Sequence, residues 1–184
     1  EFVRECRAQD IAPGIYLGTR WNAQLGVLDF RVTERSPVTQ AEYNALIEAE
    51  VEEICSRYGP LFELWFDGGA FGPDQGGPDV LSVVERLQPD CVFYHNHDRA
   101  DARWGGSESG TVPYPCWATL PFQGYVRFNE ELARDGFRLL RTGAPDGDVW
   151  CPAMSDAPVR HHERFWDEGD AAKVSDASEL VDMY

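Results

Sequence analysis

The apolar residues of the first half of the chain fall into three short, nearly continuous runs. These runs are "PGIYLG" at 13–18, "LFELWF" at 61–66 and "CVFYH" at 91–95. Each has the length of a buried strand and is followed by Gly, Pro or polar residues. The pattern therefore predicts three strands in this part of the chain.

Two helical patterns separate the predicted strands. Thr39 and Glu42 have the spacing of a capping box, and an apolar stripe at three- and four-residue intervals follows them. The stripe consists of Tyr43, Leu46, Ile47, Val51, Ile54 and Tyr58. A second helix is predicted to begin at Pro78-Asp79 and to end before Pro89. Its inner side would carry Val80, Leu81, Val83, Val84 and Leu87.

Strands that alternate with helices at this pace indicate right-handed crossovers and a parallel α/β sheet. Such a sheet is either open and doubly wound or closed into a (β/α)8 barrel. No G-x-G-x-x-G or G-x-x-x-x-G-K-[ST] motif follows a predicted strand, which disfavours the nucleotide-binding folds. A whole barrel needs about 250 residues. The 184 residues of this chain would therefore hold only its middle portion.

The pattern is weaker in the second half of the chain. Segments 116–120 and 149–154 are predicted as strands, 129–136 as a short helix, and a last helix begins near Asp176. Both ends of the sequence look helical and there is no starting Met, so we expect an excerpt of a longer protein. No linker is visible, and residues 1–184 are expected to form one domain.

Composition excludes several classes of partner. Apolar residues make up 43% of the chain, and no apolar run reaches the about 18 residues of a membrane span. Because the net charge is -16, the chain repels phosphate backbones and anionic lipids, whereas a neutral substrate is not repelled. We therefore expect no nucleic-acid partner and no membrane insertion. The five scattered cysteines contain no C-x-x-C pair, which disfavours a zinc ribbon or a thioredoxin-like site.

Two carboxylates follow predicted neighbouring strands. Asp67 comes directly after the strand at 61–66 and is followed by two glycines, and Glu108 lies in the small-residue loop "RWGGSESG" after the next strand. Taken alone, Asp67 is a common turn residue and Glu108 a solvated loop acid. Parallel sheets, however, place their sites at the carboxyl ends of strands, and retaining glycosidases need two carboxyl groups about 5 Å apart.

Aromatic residues support a sugar site. The broad faces of tryptophan suit the C–H faces of a sugar ring, and the indole N–H can bond a hydroxyl group. The alternative is that these side chains fill a core, which we expect in part for Trp65. The candidate sugar-binding residues are Trp21, Trp65, Trp104, Trp117 and Trp150, together with His95 and Arg103.

The motifs "YGPLFELWFDGG", "RWGGSESG" followed by "CWATL", and "VWCPAMSDAPVR" occur in this order. In that order they resemble glycoside hydrolase family 29, the α-L-fucosidases, and are most similar to the branch that acts on α-1,3/1,4-linked fucose. The resemblance implies a partial (β/α)8 TIM barrel that lacks its first strands and its end. It also implies a retaining mechanism, with Asp67 as nucleophile and Glu108 as general acid/base.

The same resemblance implies that a fucosylated glycan is the substrate and that no metal or cofactor is required. It also implies an extracellular, periplasmic or lysosomal location. Two positions depart from the family pattern, since Met154 and Asp167 stand where the family has a glutamate and a histidine. These departures leave open a second hypothesis, that of a carbohydrate-binding or catalytically impaired relative.

A third hypothesis concerns the histidines in "HNHD". His95 and His97 are two residues apart at the end of a predicted strand, and H-x-H pairs bind zinc in metal-dependent hydrolases. Such a site needs further ligands from other strands. The remaining histidines are the adjacent His161 and His162, whose side chains are expected to point apart. We expect instead that one histidine of the H-x-H pair lines a sugar pocket.

Overall fold

The computed structural model describes residues 1–105, 108, 110–122, 138–158 and 174–182. The chain divides into two compact units, residues 1–101 and 102–184, each of which is described by itself. Both helices and strands are present, which confirms the predicted α/β class.

A parallel three-stranded sheet forms the centre of the first unit. Its strands are β1 (Gly14–Leu17), β4 (Glu63–Phe66) and β5 (Val92–Tyr94), with β4 in the middle. Gly14 lies opposite Glu63, and Glu63 lies opposite Val92, so the three strands run in the same direction with their carboxyl ends at one edge. The three predicted strands and their parallel arrangement are confirmed.

Helices pack against one face of this sheet. The helices of the first unit are α1 (Phe2–Ala8), α2 (Gln40–Arg57) and α3 (Val80–Leu87), with a 3-10 turn at Pro73–Gln75. Burial alternates along β4, where Leu64 and Phe66 are fully buried and Trp65 on the opposite face is half-buried. Leu64, Phe66 and Phe93 form one core with apolar residues of α2 and α3.

Local signals fix both helix starts. The Thr39 hydroxyl accepts a hydrogen bond from the Glu42 N–H, and the Thr39 N–H donates to the Glu42 carboxylate. Asp79 caps α3 by accepting from the Ser82 N–H at 3.2 Å. Most of the predicted apolar stripe is confirmed, but Leu46 is 50% and Tyr58 42% exposed. Leu46 and Tyr58 therefore lie outside the buried face of the helix, which includes Cys55.

A short hairpin was not predicted from the sequence. Strands β2 (Val27–Leu28) and β3 (Arg31–Val32) pair antiparallel across the turn residues Asp29 and Phe30. Both turn residues have positive φ angles, of 49° and 67°. Turns of this hand normally use Asn or Gly, so the segment "VLDFRV" carried no recognisable turn signal.

The second unit has only two-residue strands in its described part. They are β6 (Arg103–Trp104), β7 (Thr119–Leu120), β8 (Val149–Trp150) and β9 (Ala153–Met154). β6 and β9 are parallel, whereas β7 and β8 are antiparallel. Residues 138–142 are helical, and α4 spans Ala177–Asp182.

One prediction for the second unit changed in detail, and another is not tested. The single strand predicted at 149–154 is two strands, because residues 151–152 separate β8 from β9. The short helix predicted at 129–136 lies outside the described residues.

All five cysteines are free thiols. Among the described helices, none combines the length and the apolar character needed to cross a bilayer.

Candidate functional site

Asp67 lies where the chain leaves the central strand of the sheet, at its carboxyl end. Its backbone N–H donates to the carbonyl oxygen of Leu17 at 2.8 Å, which ties the position to the neighbouring β1. The side chain is half-buried, and within the described residues no hydrogen bond or ion pair engages its carboxylate. The backbone is therefore held while the carboxylate stays available for a ligand.

The turn after Asp67 requires its two glycines. Gly68 and Gly69 have φ angles of 68° and 85°, a region that other residues adopt only with strain. The Gly69 N–H donates to the Phe66 carbonyl at 2.8 Å and closes the turn. A Cβ atom on Gly69 would lie 2.7 Å from Cε1 of His95, so this turn also packs directly against the end of β5.

Hydrogen bonds join the loops that follow the three parallel strands. The Thr19 hydroxyl, after β1, donates to the Gly69 carbonyl at 3.2 Å, and the Ala70 N–H donates to the His95 carbonyl at 3.0 Å. The Tyr43 hydroxyl on α2 donates to the Thr19 carbonyl at 2.9 Å. The carboxyl edge of the sheet is consequently one connected structure around Asp67.

His95 is placed at this edge as a buried, neutral side chain. It is 6% exposed, and burial lowers its pKa from 6.5 to about 3. It contacts Tyr94 edge-on at 4.3 Å between ring centroids, and Tyr94 in turn contacts Trp65 at 4.5 Å. A neutral imidazole can both donate and accept a hydrogen bond, as binding of a sugar hydroxyl requires.

Trp21 lies in the loop after β1 and is 51% exposed. The guanidinium group of Arg20 covers its ring at 4.3 Å from the centroid. The same side chain approaches the glycine turn, with Cδ of Arg20 at 3.0 Å from where a Cβ on Gly68 would lie. Trp21 is thus joined through Arg20 to the turn that carries Asp67.

His97 is engaged by acids rather than by other histidines. Its Nε2 lies 3.1 Å from Oδ1 of Asp98 and 3.4 Å from Oδ1 of Asp74. Among the described residues, no group of three or more His, Cys, Asp or Glu side chains has an arrangement that could hold a metal ion. The zinc hypothesis for His95 and His97 therefore gains no support from the described part of the chain.

Glu108 lies in the second unit, exposed in the loop that follows β6. Both flanks of this loop are bound to the end of β9. The Gly105 N–H donates to the Met154 carbonyl at 3.1 Å, and the Ser155 hydroxyl donates to the Gly110 carbonyl. Glu108 and Met154 are therefore associated with the carboxyl ends of the same parallel strand pair.

Arg103 is not a surface residue of the second unit. Its side chain is fully buried, and its guanidinium group donates to the carbonyl oxygens of Leu140 at 2.7 Å, Trp117 at 2.5 Å and Cys151. It also contacts the Cys116 sulfur at 3.3 Å. The sequence predicts a sugar contact for Arg103, whereas this geometry assigns Arg103 to joining three backbone segments.

The tryptophans of the second unit differ in exposure. Trp104 is half-buried opposite Met154 in the β6–β9 pair. Trp117 and Trp150 are 45% and 70% exposed, which leaves indole surface open. Asp167, the other position that departs from the family pattern, lies outside the described residues.

Sequence reasoning missed Thr19 and Arg20. Thr19 is 3% exposed, and nothing in the apolar pattern predicts a buried threonine that binds a loop 50 residues away. Its position directly after a predicted strand was the one available signal, since parallel sheets concentrate functional residues there.

No protein-family model matches the chain. Two curated plant proteins are similar to it. It is 28% identical over 194 aligned residues to a provisionally named alpha-L-fucosidase 1 of Oryza sativa subsp. japonica, covering 100% of the chain and 32% of that protein. It is 27% identical over 150 residues to alpha-L-fucosidase 1 of Arabidopsis thaliana, covering 78% of the chain and 27% of that protein. The chain therefore spans about a third of the length of the curated relatives it matches.

Solved structures are similar over nearly all of the chain. A provisionally named alpha-L-fucosidase from Bacteroides thetaiotaomicron VPI-5482 is 45% identical with a TM-score of 0.90, covering 99% of this chain and 43% of that one. A glycoside hydrolase 29 family member from an unknown rumen bacterium is 26% identical with a TM-score of 0.72. That match covers 100% of this chain and 32% of the other.

Proposed function

Because this chain resembles the α-L-fucosidases of glycoside hydrolase family 29 along its whole length, we propose that it contributes to a retaining α-L-fucosidase. The reaction would be hydrolysis of terminal α-L-fucose from glycans, with α-1,3/1,4 linkages as the proposed preference. The observation that carries this proposal is Asp67, an available carboxylate on a two-glycine turn at the carboxyl end of the central strand. Since the chain covers about a third of its relatives, the activity is proposed for the full-length protein.

In the first step of the proposed reaction, an oxygen of Asp67 attacks the anomeric carbon of fucose. The bond between that carbon and the leaving oxygen breaks, and protonated Glu108 gives its proton to the leaving oxygen. The product of this step is a fucosyl ester on Asp67. The half-buried position of Asp67 and the hydrogen bond from its N–H to Leu17 support this role, because they hold the backbone that carries the carboxylate before substrate arrives.

In the second step, Glu108 takes a proton from water, and the water oxygen attacks the same anomeric carbon. The ester bond to Asp67 breaks, and fucose is released with its original anomeric configuration. Two displacements at one carbon account for retention. No metal or cofactor takes part in this sequence.

The fold that we propose for the full-length protein is a (β/α)8 barrel, in which this chain is part of a single catalytic domain. The parallel order β1-β4-β5 supports this fold, as does the alternation of buried and half-buried residues along β4. Leu64 and Phe66 pack with the helices, whereas Trp65 lies on the opposite face, which in a barrel is the interior.

The proposed sugar contacts follow from exposure and hydrogen-bonding capacity. His95 is neutral at physiological pH and can bind a hydroxyl group without a charge penalty. The proposed stacking residues are Trp21, Trp65, Trp104, Trp117 and Trp150. Arg103 is left out of this set because its guanidinium group is buried against backbone carbonyls.

Met154 favours a second candidate function. It lies half-buried at the end of β9, beside the loop that carries Glu108, at the position where the family pattern has a glutamate. A thioether is a weak acceptor and cannot replace the hydrogen bonds of a carboxylate to sugar hydroxyls. A protein that binds fucosylated glycans but turns them over slowly is therefore the alternative. Met154→Glu would raise turnover in that case.

Hydrolysis of 4-nitrophenyl α-L-fucoside by the full-length protein tests the proposal. The expected result is turnover, with α-L-fucose as the first-formed anomer in the proton NMR spectrum. In Glu108→Gln, turnover is expected to be lost. Release of β-L-fucose first, or full turnover by Glu108→Gln, contradicts the mechanism. Saturable binding of fucosylated glycan without hydrolysis selects the alternative function.

A further inference from the structure

Arg20 is half-buried and is held by several groups of the first unit. Its Nε donates to Oδ1 of Asp29 at 2.7 Å, and its guanidinium group lies 4.3 Å from the Trp21 ring centroid and 5.6 Å from that of Phe30. The Phe30 N–H also donates to the Arg20 carbonyl at 2.9 Å. Both the backbone and the side chain of Arg20 are consequently fixed by the β2–β3 hairpin.

The hairpin turn is strained and well anchored. Asp29 and Phe30 have φ angles of 49° and 67°, a costly conformation for these residue types. Phe30 is 8% exposed and stacks on Phe71 at 4.0 Å with an interplanar angle of 15°. Because Phe71 follows the Asp67 turn in the chain, the hairpin is docked onto the same loop that carries the proposed nucleophile.

Trp21 is the exposed member of this arrangement. A cation stacked on one face of an indole restricts the ring, and 51% of the residue remains open to solvent. The charge of Arg20 is matched by Asp29, so the surface that a ligand meets is aromatic rather than cationic. Such a surface suits the C–H face of a neutral sugar.

From this juxtaposition we propose that Arg20 is a positioning residue, which with Asp29 holds Trp21 as a stacking platform for the neutral sugar on the leaving-group side of the fucosidic bond. The proposal rests on the fucosidase function proposed above and assigns a specificity role within it. The exposed position of Trp21 favours the leaving group, since the fucose itself must reach the half-buried Asp67.

The test compares two substrates that differ only beyond the fucose. One is α-L-fucosyl fluoride, whose leaving group is a single atom, and the other is a trisaccharide with α-L-fucose on a neutral disaccharide. In Arg20→Gln, the KM for the trisaccharide is expected to rise about tenfold more than the KM for the fluoride, which is the loss of one stacking contact. Trp21→Ala is expected to give the same ratio, and Arg20→Lys, which keeps the cation, an intermediate one.

Arg86→Gln is the control, because Arg86 forms an exposed ion pair with Glu52 on the helices. It is expected to change neither KM. An equal loss on both substrates in Arg20→Gln, or no change with the trisaccharide, overturns the proposal. A wild-type preference above about tenfold for an acidic over a neutral oligosaccharide overturns the neutral-sugar assignment.

A direct binding measurement separates this inference from the fucosidase function. If the full-length protein hydrolyses neither substrate, titration calorimetry still measures the binding of the neutral trisaccharide to the Trp21 platform. Binding that weakens about tenfold in Arg20→Gln supports the platform while the hydrolytic function fails. Binding that is absent in the wild type, or unchanged in Arg20→Gln, contradicts the platform itself.

Discussion

Each of the two units of this chain is stabilised internally by a different kind of interaction. In residues 1–101, a sheet of three parallel strands packs on helices through a continuous apolar core. In the described part of residues 102–184, the strands are two residues long and three backbone segments converge on one buried guanidinium group, that of Arg103. The first unit depends on apolar area, whereas the second depends on satisfying a buried charge.

This difference determines where chemistry can be placed. An apolar sheet with its helices gives rigid strand ends, and Asp67 occupies one of them on a turn fixed by its own backbone. A charge-centred unit instead positions loops through hydrogen bonds to carbonyl groups, and Glu108 lies in such a loop. Five predictions test this comparison.

The largest effect is expected for the carboxylate of the first unit. Asp67→Asn keeps the shape of the side chain but removes the nucleophile, so turnover of the aryl fucoside should fall by more than about 10³-fold. The urea-denaturation midpoint should hardly change, since the position is held by backbone hydrogen bonds. Asp90→Asn, an exposed acid before β5, is the control and should keep full activity.

The second unit should be most sensitive at Arg103. Arg103→Met fills the volume but leaves the carbonyls of Trp117, Leu140 and Cys151, the last two in buried hydrogen bonds, without their donor. The expected loss is at least about 3 kcal/mol of unfolding free energy. Arg86→Met, at an exposed arginine, should stay within about 0.5 kcal/mol. Equal effects of the two variants in urea denaturation would refute the charge-centred description of the second unit.

In the first unit, the turn after Asp67 should tolerate no side chain. Gly69→Ala combines a φ angle of 85° with a contact of 2.7 Å to His95, and should cost about 2 kcal/mol. Gly18→Ala is the matched control, because nothing lies within 4 Å of its added Cβ. Thermal unfolding of both variants checks this, and a stable Gly69→Ala protein would show that the turn is not rigid.

His95 should make stability depend on pH. Its folded pKa of about 3 lies below the unfolded value of 6.5, so the unfolded state binds the additional proton between these pH values. The contribution of neutral His95 to the free energy of unfolding is fully present above pH 6.5 and decreases as the pH falls toward 3. At pH 5 the loss is of order 2 kcal/mol.

His95→Gln removes this titration. The difference in unfolding free energy between wild type and variant should therefore change with pH only between about 6.5 and 3. Urea denaturation at a series of pH values measures it. A difference that is constant over this range would mean that His95 is not buried in the neutral form.

The smallest effect concerns a local signal of the first unit. Thr39→Ala removes the capping hydroxyl of α2 and should cost about 1 kcal/mol. Ser56→Ala near the other end of the same helix should be neutral, because its hydroxyl makes only a long exposed contact of 3.5 Å. If neither variant changes the thermal unfolding temperature, the cap contributes nothing and α2 is stabilised by core packing alone.

The first unit was predictable because its signals are periodic or local. The Thr39–Glu42 box and the apolar runs of β1, β4 and β5 can be read directly from the sequence. Asp67 followed from its position after a strand. The exposed Leu46 was included in the apolar stripe because spacing alone does not separate neighbouring positions at the edge of such a stripe.

The second unit was less predictable for a physical reason. An arginine that binds backbone carbonyls of residues 117, 140 and 151 leaves no periodic pattern, and its sequence neighbours suggested a ligand contact instead. The hairpin turn at Asp29 and Phe30 was missed for a similar reason. Its strain is compensated by long-range contacts with Arg20 and Phe71 that no local rule describes.

Covalent labelling of the nucleophile tests the proposed mechanism most directly. A 2-deoxy-2-fluoro-α-L-fucosyl fluoride should react with the full-length protein and leave a stable ester, because the fluorine slows the second displacement. Proteolysis and mass spectrometry should then find one fluorofucosyl group on the peptide that contains Asp67. A label on any other carboxylate, or inactivation without a covalent adduct, would contradict the account.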